Sequence, residues 1–429
     1  MSLKILRRLT VALFVASPAL AVGPGVRAGD FELHVGGEAA VNHDDNFFRK
    51  SEASVVGTPD AITTLGAGFK LTAENRSPNK LLLRLRGDVD FRKTLGADEE
   101  TRAAERDGIS GVDQSLLLGL FPKGSFSLDL NEKVQFRDAP AEPGAEDGFE
   151  RFVFDVGPDL RFRPGGGASR AFELRLGYRF KGTRFFNDGG DNLEADRHQV
   201  RFLTEWKFFP KTAAFADVRY SVIDRPAQDA ELHPATGAQF PERNLDSNPF
   251  RLELGLKGLI TQRLSAVLRG GFLHTFNAEL DSFVGGVGQL KLEYIIEPTL
   301  QIEAGYEFDA RSTAVSNFYK LHNVFARIEL FLLSRLEVGG KVAYQIYDFT
   351  ASNARYGLKR DDPLLRATVE VKYNFVEWLS AGVTWRLEKN STDYKLPISF
   401  VASDGTETAL EEPRDFSQQI VSFVLTADY

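Results

Sequence analysis

Alternation at period two, sustained over runs much longer than an ordinary strand, constrains this chain more than any other feature. From Lys80 to Leu95, Leu81, Leu83, Leu85, Val89 and Phe91 fall on one face, while Arg84, Arg86, Asp88, Asp90 and Arg92 fall on the other. Ser125 to Asp138 sets Phe126, Leu128, Leu130, Val134 and Phe136 against Ser127, Asp129, Asn131, Lys133, Gln135 and Arg137. Arg170 to Arg184 and Pro363 to Phe375 repeat the pattern, and the last stretch puts Val421, Phe423, Leu425, Ala427 and Tyr429 on one face. Successive side chains of a strand point to opposite sides, so each run predicts a strand with one apolar and one strongly charged surface. At about 12–15 residues such strands exceed the ~5–6 of a soluble sandwich and suit tilted membrane strands whose ends protrude. In lipid no water pairs with backbone N–H and C=O groups, so a spanning sheet must close on itself.

The connections alternate in length. Short ones centre on Ser77-Pro78-Asn79, Pro122-Lys123-Gly124, Gly165-Gly166-Gly167, Pro210-Lys211, Thr261-Gln262-Arg263, Glu297-Pro298-Thr299, Leu333-Ser334-Arg335 and Val376-Glu377-Trp378. Longer polar ones lie between them, among them Pro226 to Asn248 and Thr392 to Pro413. Eight short turns and nine loops predict about eighteen strands: an all-β, transmembrane, antiparallel up-and-down barrel of the outer-membrane type. An even count returns both termini to the short-turn side. Averaged over the chain the two faces cancel, and the mean hydropathy of -0.22 excludes spanning helices only.

Lys4, Arg7 and Arg8, the apolar run Leu9 to Ala16 and the small residues of Ala19-Leu20-Ala21 read as a signal peptide of residues 1–21. Residues 22–429 then form a single barrel, exported to the outer membrane of a Gram-negative cell. Losing those three cations takes the formal net charge from -8 to about -11, which gives no case for nucleic acid. The chain has no cysteine, so thiol catalysis, disulfides and lipidation are excluded, and six histidines argue against zinc.

The 35 phenylalanines need a location, and the turns supply one. Phe121, Phe126, Phe162, Phe208, Phe209, Phe331, Phe375, Trp378 and Tyr429 lie within a few residues of short turns. They predict an aromatic girdle at the periplasmic lipid–water boundary. The aromatic terminus on a final amphipathic strand resembles the end that barrel-assembly machinery recognises. The lipid-facing surfaces otherwise read as uniformly apolar, with no patch that marks an oligomer.

The charged faces predict the lining of a wide lumen: Arg84, Arg86, Asp88, Asp90, Arg137, Arg151, Arg161, Arg175, Arg179, Arg197, Arg201, Glu205, Arg219, Arg251, Glu253, Arg269, Arg327, Glu329, Arg366, Glu370, Arg386 and Glu388. One reading is a mutually satisfied ion-pair network that stiffens the wall, since opposite charges across strands attract. The other is a guanidinium-lined path for an anionic or hydroxyl-rich solute, which an excess of arginine over paired acid favours. No catalytic constellation is interpretable, His43-Asp44-Asp45 included, and no cofactor is implied. Asp188, Asp191 and Asn192 are oxygen-rich, yet a solvated acidic loop explains them better than a Ca²⁺ site.

One segment carries a resemblance. Gly36 to Arg49, with Asp44, Asp45, Asn46, Phe47 and Arg49 at the strand exit, is similar to the opening of outer-membrane β-barrel porins associated with exopolysaccharide secretion. Asp60-Ala61-Ile62-Thr63 resembles the start of their second strand, while His43 stands where they carry tyrosine and Phe48 adds a residue before Arg49. The resemblance implies a conduit for a secreted polysaccharide, fed by a periplasmic polysaccharide-export protein. The alternatives are a passive porin for small sugar or anionic solutes, in which Pro226 to Asn248 or Thr392 to Pro413 folds inward, and a structural or adhesive surface barrel. An ordinary acidic loop start with Asx turns is the plain physical account of the same residues.

Overall fold

The computed structural model describes residues 26–46, 49–54, 61–75, 80–95, 107–138, 150–164, 171–186, 194–226, 231–232, 239–240, 246–278, 281–296, 299–313, 318–332, 335–349, 360–401 and 407–428. Residues 1–21, the expected signal peptide, and Phe47, Phe48, Asp60, Asp188, Asp191, Asn192 and Tyr429 lie outside the described residues.

Eighteen strands pair in chain order, each antiparallel to the next. They are β1 (Phe31–Asp44), β2 (Ile62–Asn75), β3 (Leu81–Leu95), β4 (Gly108–Leu120), β5 (Phe126–Asp138), β6 (Glu150–Phe162), β7 (Phe172–Phe185), β8 (Ala195–Phe209) and β9 (Thr212–Asp224). The second half comprises β10 (Phe250–Leu259), β11 (Leu264–His274), β12 (Val284–Ile295), β13 (Leu300–Ser312), β14 (Phe318–Leu332), β15 (Leu336–Phe349), β16 (Arg360–Val376), β17 (Leu379–Asn390) and β18 (Phe416–Asp428). β18 returns to β1 in a register running from Gly36↔Asp428 to Asp44↔Ile420, so the sheet has no free edge. Val26–Ala28 folds back on β1, and a small hairpin of Lys395–Val401 with Glu407–Pro413 stands in the β17–β18 connection.

Period two decides which way each side chain points. Phe69, Leu254, Val324 and Phe423 are 44%, 59%, 54% and 57% exposed, as lipid-facing residues of a barrel must be. The charged faces are concave. Arg251 on β10 reaches past β11 and β12 to Asp309 on β13, a span that only the inner side of a curved sheet permits. The strand ends joined by short links, down to the two residues Pro210 and Lys211, lie at one end with Phe31 and Asp428, and the strand ends joined by long links lie at the other. Strand count, closure and the alternation of loops therefore follow the sequence pattern.

At the short-turn end Phe126 stacks on Phe162 with centroids 4.7 Å apart, and Trp206, Phe208 and Phe209 form a contiguous aromatic group beside a register shift at Thr212. Phe121, Phe375 and Trp378 are exposed at the same rim. Phe331 departs from the expected girdle. It pairs with Glu337 and shares the face of Arg327 and Glu329, so its ring sits on the lumenal side of the rim. A second correction concerns the lipid surface, which is not uniformly apolar: alternation places Gln114 and Glu132 outward at the middle of β4 and β5.

Candidate functional site

The lumenal wall is the candidate site, and its charges are segregated. On β5 to β11 the inward positions are Lys133, Arg137, Arg151, Arg161, Arg175, Arg179, Lys181, Arg197, Arg201, Lys207, Arg219, Arg251, Lys257 and Arg269. Against these fourteen cations stand seven acids: Asp129, Asp155, Asp159, Glu173, Glu205, Asp217 and Glu253. The remaining wall, β12 to β18 with β1 to β4, carries twelve inward cations against seventeen acids. A chain of net charge -8 thus presents one wall of about +7 facing another of about -5 across the lumen.

The basic wall is knit by a continuous ladder. Arg201 grips Asp217 with a fork, Nε to Oδ1 at 2.9 Å and Nη2 to Oδ2 at 2.7 Å. Arg219 donates to the same carboxylate and lies 3.3 Å from Glu253. Glu253, only 2% exposed, also lies 3.7 Å from Arg251 and 3.7 Å from Arg269. Arg251 continues to Asp309, and Arg311 closes the ladder on Glu307 and Asp309, 3.1 Å from each. Three inward arginines aligned across β8, β9 and β10 (Arg201↔Arg219↔Arg251) would repel one another, and the buried Asp217 and Glu253 in the next row offset that repulsion. A second group joins Arg179 to Asp159 at 2.6 Å, Arg161 to Asp129, and Glu173 to Arg163 and Arg175.

Other predicted lining residues are paired locally: Arg84 with Glu74, Arg86 with Asp88, Arg137 with Asp113 and Asp90, Glu205 with Lys257, Arg327 with Glu329, and Arg366 with Glu388. Arg386 and Glu370 face the lumen without a side-chain partner among the described residues, and so do Lys133 and Lys207. Arg197 is distinctive in that, among the described residues, its guanidinium donates only to Ser221 Oγ, at 3.0 and 3.3 Å, an oxygen that also accepts from Gln199 Nε2 at 3.0 Å. Period two identifies such residues singly, but their partners lie on other strands and are not legible from one run.

Toward the long-loop end the lumenal face turns apolar. Tyr319, Leu321, Tyr347, Phe349 and Leu364 are buried together there, with Phe416 packed against them. Arg360, paired with Asp362 at 2.9 Å, lies over the rings of Phe349 and Tyr394, 5.4 and 4.7 Å from their centroids. Tyr394 belongs to the β17–β18 connection, so part of the expected inward-folding loop packs on the lumenal wall. Ser247, from the β9–β10 connection, is buried between Ile223 and Asn277. These apolar positions were not singled out from the sequence, because a wholly polar lumen was expected.

The acidic run at the exit of β1 is absorbed in closing the barrel. Asp44 Oδ1 accepts from the Asn46 amide at 3.0 Å, which is an Asx turn, and Asp44 Oδ2 accepts from Gln418 at 2.7 Å. Asp45 accepts from the Gln419 amide at 2.6 Å, and Asn46 donates to Lys50 O and Ser417 O at 2.8 and 2.9 Å. Arg49 donates to Gln418 and lies 3.4 Å from Glu388. The run pins the first loop to the last strand. His43 faces outward and bonds to Thr63, while Asp44 faces inward, so the two assemble no acid–base site.

No family model and no curated protein matches the chain. Solved barrels similar to it include the outer membrane protein opdK from Pseudomonas aeruginosa, at 12% identity over 93% of this chain and 99% of that one, with a TM-score of 0.49. OccAB4 of Acinetobacter baumannii is 10% identical over 93% and 98%, TM-score 0.49, and OccK5 (OpdH) of Pseudomonas aeruginosa 11% over 92% and 98%, TM-score 0.48. The chain is a closed outer-membrane β-barrel whose apolar outer face meets membrane lipid. The expectation of a polysaccharide-export conduit is corrected. The Asp44-Asp45-Asn46 run that suggested export instead serves the β1–β18 seam.

Proposed function

We propose that the barrel is a passive channel for small solutes that favours anions, carboxylates above all. The observation that carries this reading is the wall of β5 to β11, with fourteen inward cations to seven acids. Paired guanidiniums retain donors: each has five N–H groups in a planar fork, more than one carboxylate engages. A permeating carboxylate meets successive guanidiniums and exchanges one for the next, which binds it enough to enter and weakly enough to leave. The facing acidic wall orients the solute's positive or neutral part away from the arginines. Toward the long-loop end the solute path runs beside the apolar lumenal patch around Phe349 and Tyr394.

Liposome swelling tests the reading. Vesicles containing the barrel are expected to swell faster in a small dicarboxylate than in a neutral sugar of similar size, and not at all in a long polysaccharide. Equal rates for dicarboxylate and sugar would overturn the anion preference, and swelling in neither would overturn the channel itself.

A further inference from the structure

Among the described residues, one carboxylate breaks the lipid-facing surface at its centre. Glu132 points outward six residues from either end of β5, and Gln114 points outward six residues from either end of β4. Every other outward Asp, Glu, Lys or Arg on the described barrel strands, such as Lys93, Arg184, Lys320 and Lys389, lies within two residues of a long-loop strand end. There water and headgroups solvate it. Glu132 and Gln114 have neither an ion-pair nor a hydrogen-bond partner among the described residues, although Gln114 is exposed and Glu132 half-exposed. A glutamate at mid-depth is too short to reach either interface, and an ionisable group facing hydrocarbon marks a place that something covers.

We propose that a second copy of this chain covers it, in a two-fold dimer whose axis runs along the membrane normal between the β4–β5 faces. The register supplies the argument. Two barrels of the same orientation that meet along this line oppose β4 of one to β5 of the other, and the reverse. An isologous contact therefore sets Gln114 against Glu132 of the other copy twice, because residue i meets j wherever j meets i. Both residues stand at the midpoint of thirteen-residue strands, so the heights agree. The chemistry agrees as well: the Gln114 amide donates and the Glu132 carboxyl accepts, so both groups left unsatisfied in one barrel are satisfied in two. Among the described residues no outward arginine or lysine stands at mid-strand elsewhere on the wall, so a ring built from a different face offers Glu132 no such cation. Gly87 on β3 pairs with Gln114, and a Cβ placed on it would meet nothing within 4 Å, which leaves a shallow notch beside the amide for the approaching copy. Hydrogen bonds and close packing, rather than apolar burial, are what join surfaces inside a bilayer.

The chain lacks cysteine, which makes the test direct. Cells producing two forms, Gln114→Cys and Glu132→Cys, are expected to yield a disulfide-linked pair of the two chains in their outer membranes. Pairing Gln114→Cys with Val218→Cys, outward and central on β9, is expected to yield none. Native mass spectrometry of the unsubstituted barrel from lipid discs is expected to show the dimer. The double variant Gln114→Leu, Glu132→Leu is expected to remain a folded barrel and to reduce the dimer population about tenfold or more through loss of two interchain hydrogen bonds. A monomer in lipid discs, a 114–132 cross-link no stronger than the Val218 control, cross-links only to other proteins, or an undiminished dimer of the Leu variant would each overturn the proposal.

Discussion

Truncating Glu253 to alanine is expected to lower the unfolding free energy of the barrel by about 3–5 kcal/mol, the usual loss when one partner of a buried ion pair is removed. Glu253 is 2% exposed and holds Arg219, Arg251 and Arg269 within 3.3 to 3.7 Å. Without it the three guanidiniums lose the carboxylate they share and keep only Asp217, Asp309 and Glu307 at their outer sides, and β10 loses the acid of its inward face. Its effect is expected to exceed that of Glu205→Ala by several-fold. Glu205 pairs with Lys257 at 2.6 Å, but that lysine side chain is 45% exposed, and pairs open to water contribute only about 0–1 kcal/mol. Urea unfolding of both variants in lipid vesicles, followed by tryptophan fluorescence, checks the order. Equal losses would mean that the ladder is not the stiffening element of the wall.

Reversing two cations that hold no partner tests selectivity without breaking the ladder. Lys133 and Lys207 face the lumen on β5 and β8 and make no ion pair among the described residues. The double variant Lys133→Glu, Lys207→Glu changes the basic wall by four charge units. Each unit acts on an ion ~10 Å away in water with ~0.4 kcal/mol, and screening at 0.1 M salt reduces this roughly threefold. The four together alter the barrier by ~0.6 kcal/mol, with opposite sign for anions and cations. The anion-to-cation permeability ratio is therefore expected to fall roughly five- to tenfold. Single-channel recordings of the variant beside the parent protein measure it, and an unchanged ratio would show that these lysines do not see the permeating ion.

Much of the architecture is written in period two. The Lys80–Leu95 and Ser125–Asp138 runs become β3 and β5, the strand ends joined by short links lie at one end, and the alternation carries each expected lumenal arginine on the inward side. Such features depend on local alternation and turn chemistry, which one strand displays by itself. What escaped depends on relations between strands. The polarisation of the lumen emerges only when consecutive strands are summed over an arc of wall, as Lys133, Lys181 and Lys257 join the arginines on β5 to β11. Asp309 is invisible in the sequence as a partner of Arg251 because two whole strands, β11 and β12, lie between them. Phe331 was assigned by its closeness to a turn, whereas its register with Glu337 sets its face. Glu132 was passed over because the residues around it, Leu130 and Val134, keep the alternation apolar.

The β1 exit illustrates a different limit. Asp44, Asp45 and Asn46 form a short acidic run, and the same three residue types serve an export motif, an Asx turn or a strand latch equally well. Gln418 and Gln419, 374 residues away in sequence, decide the matter by donating to Asp44 and Asp45 and so making that run the last rung of closure. Short motifs at strand ends are where sequence carries least, because their partners are set by the fold.

The zero-current potential of the unsubstituted barrel in a planar bilayer, with a salt gradient of potassium chloride across it, bears most directly on the central claim. A basic wall in command of permeation makes chloride the faster ion, so the potential takes the sign of anion selectivity and shrinks as salt screens the wall. A potential of cation sign, or none at low salt, would contradict it and leave the arginines as structural ties.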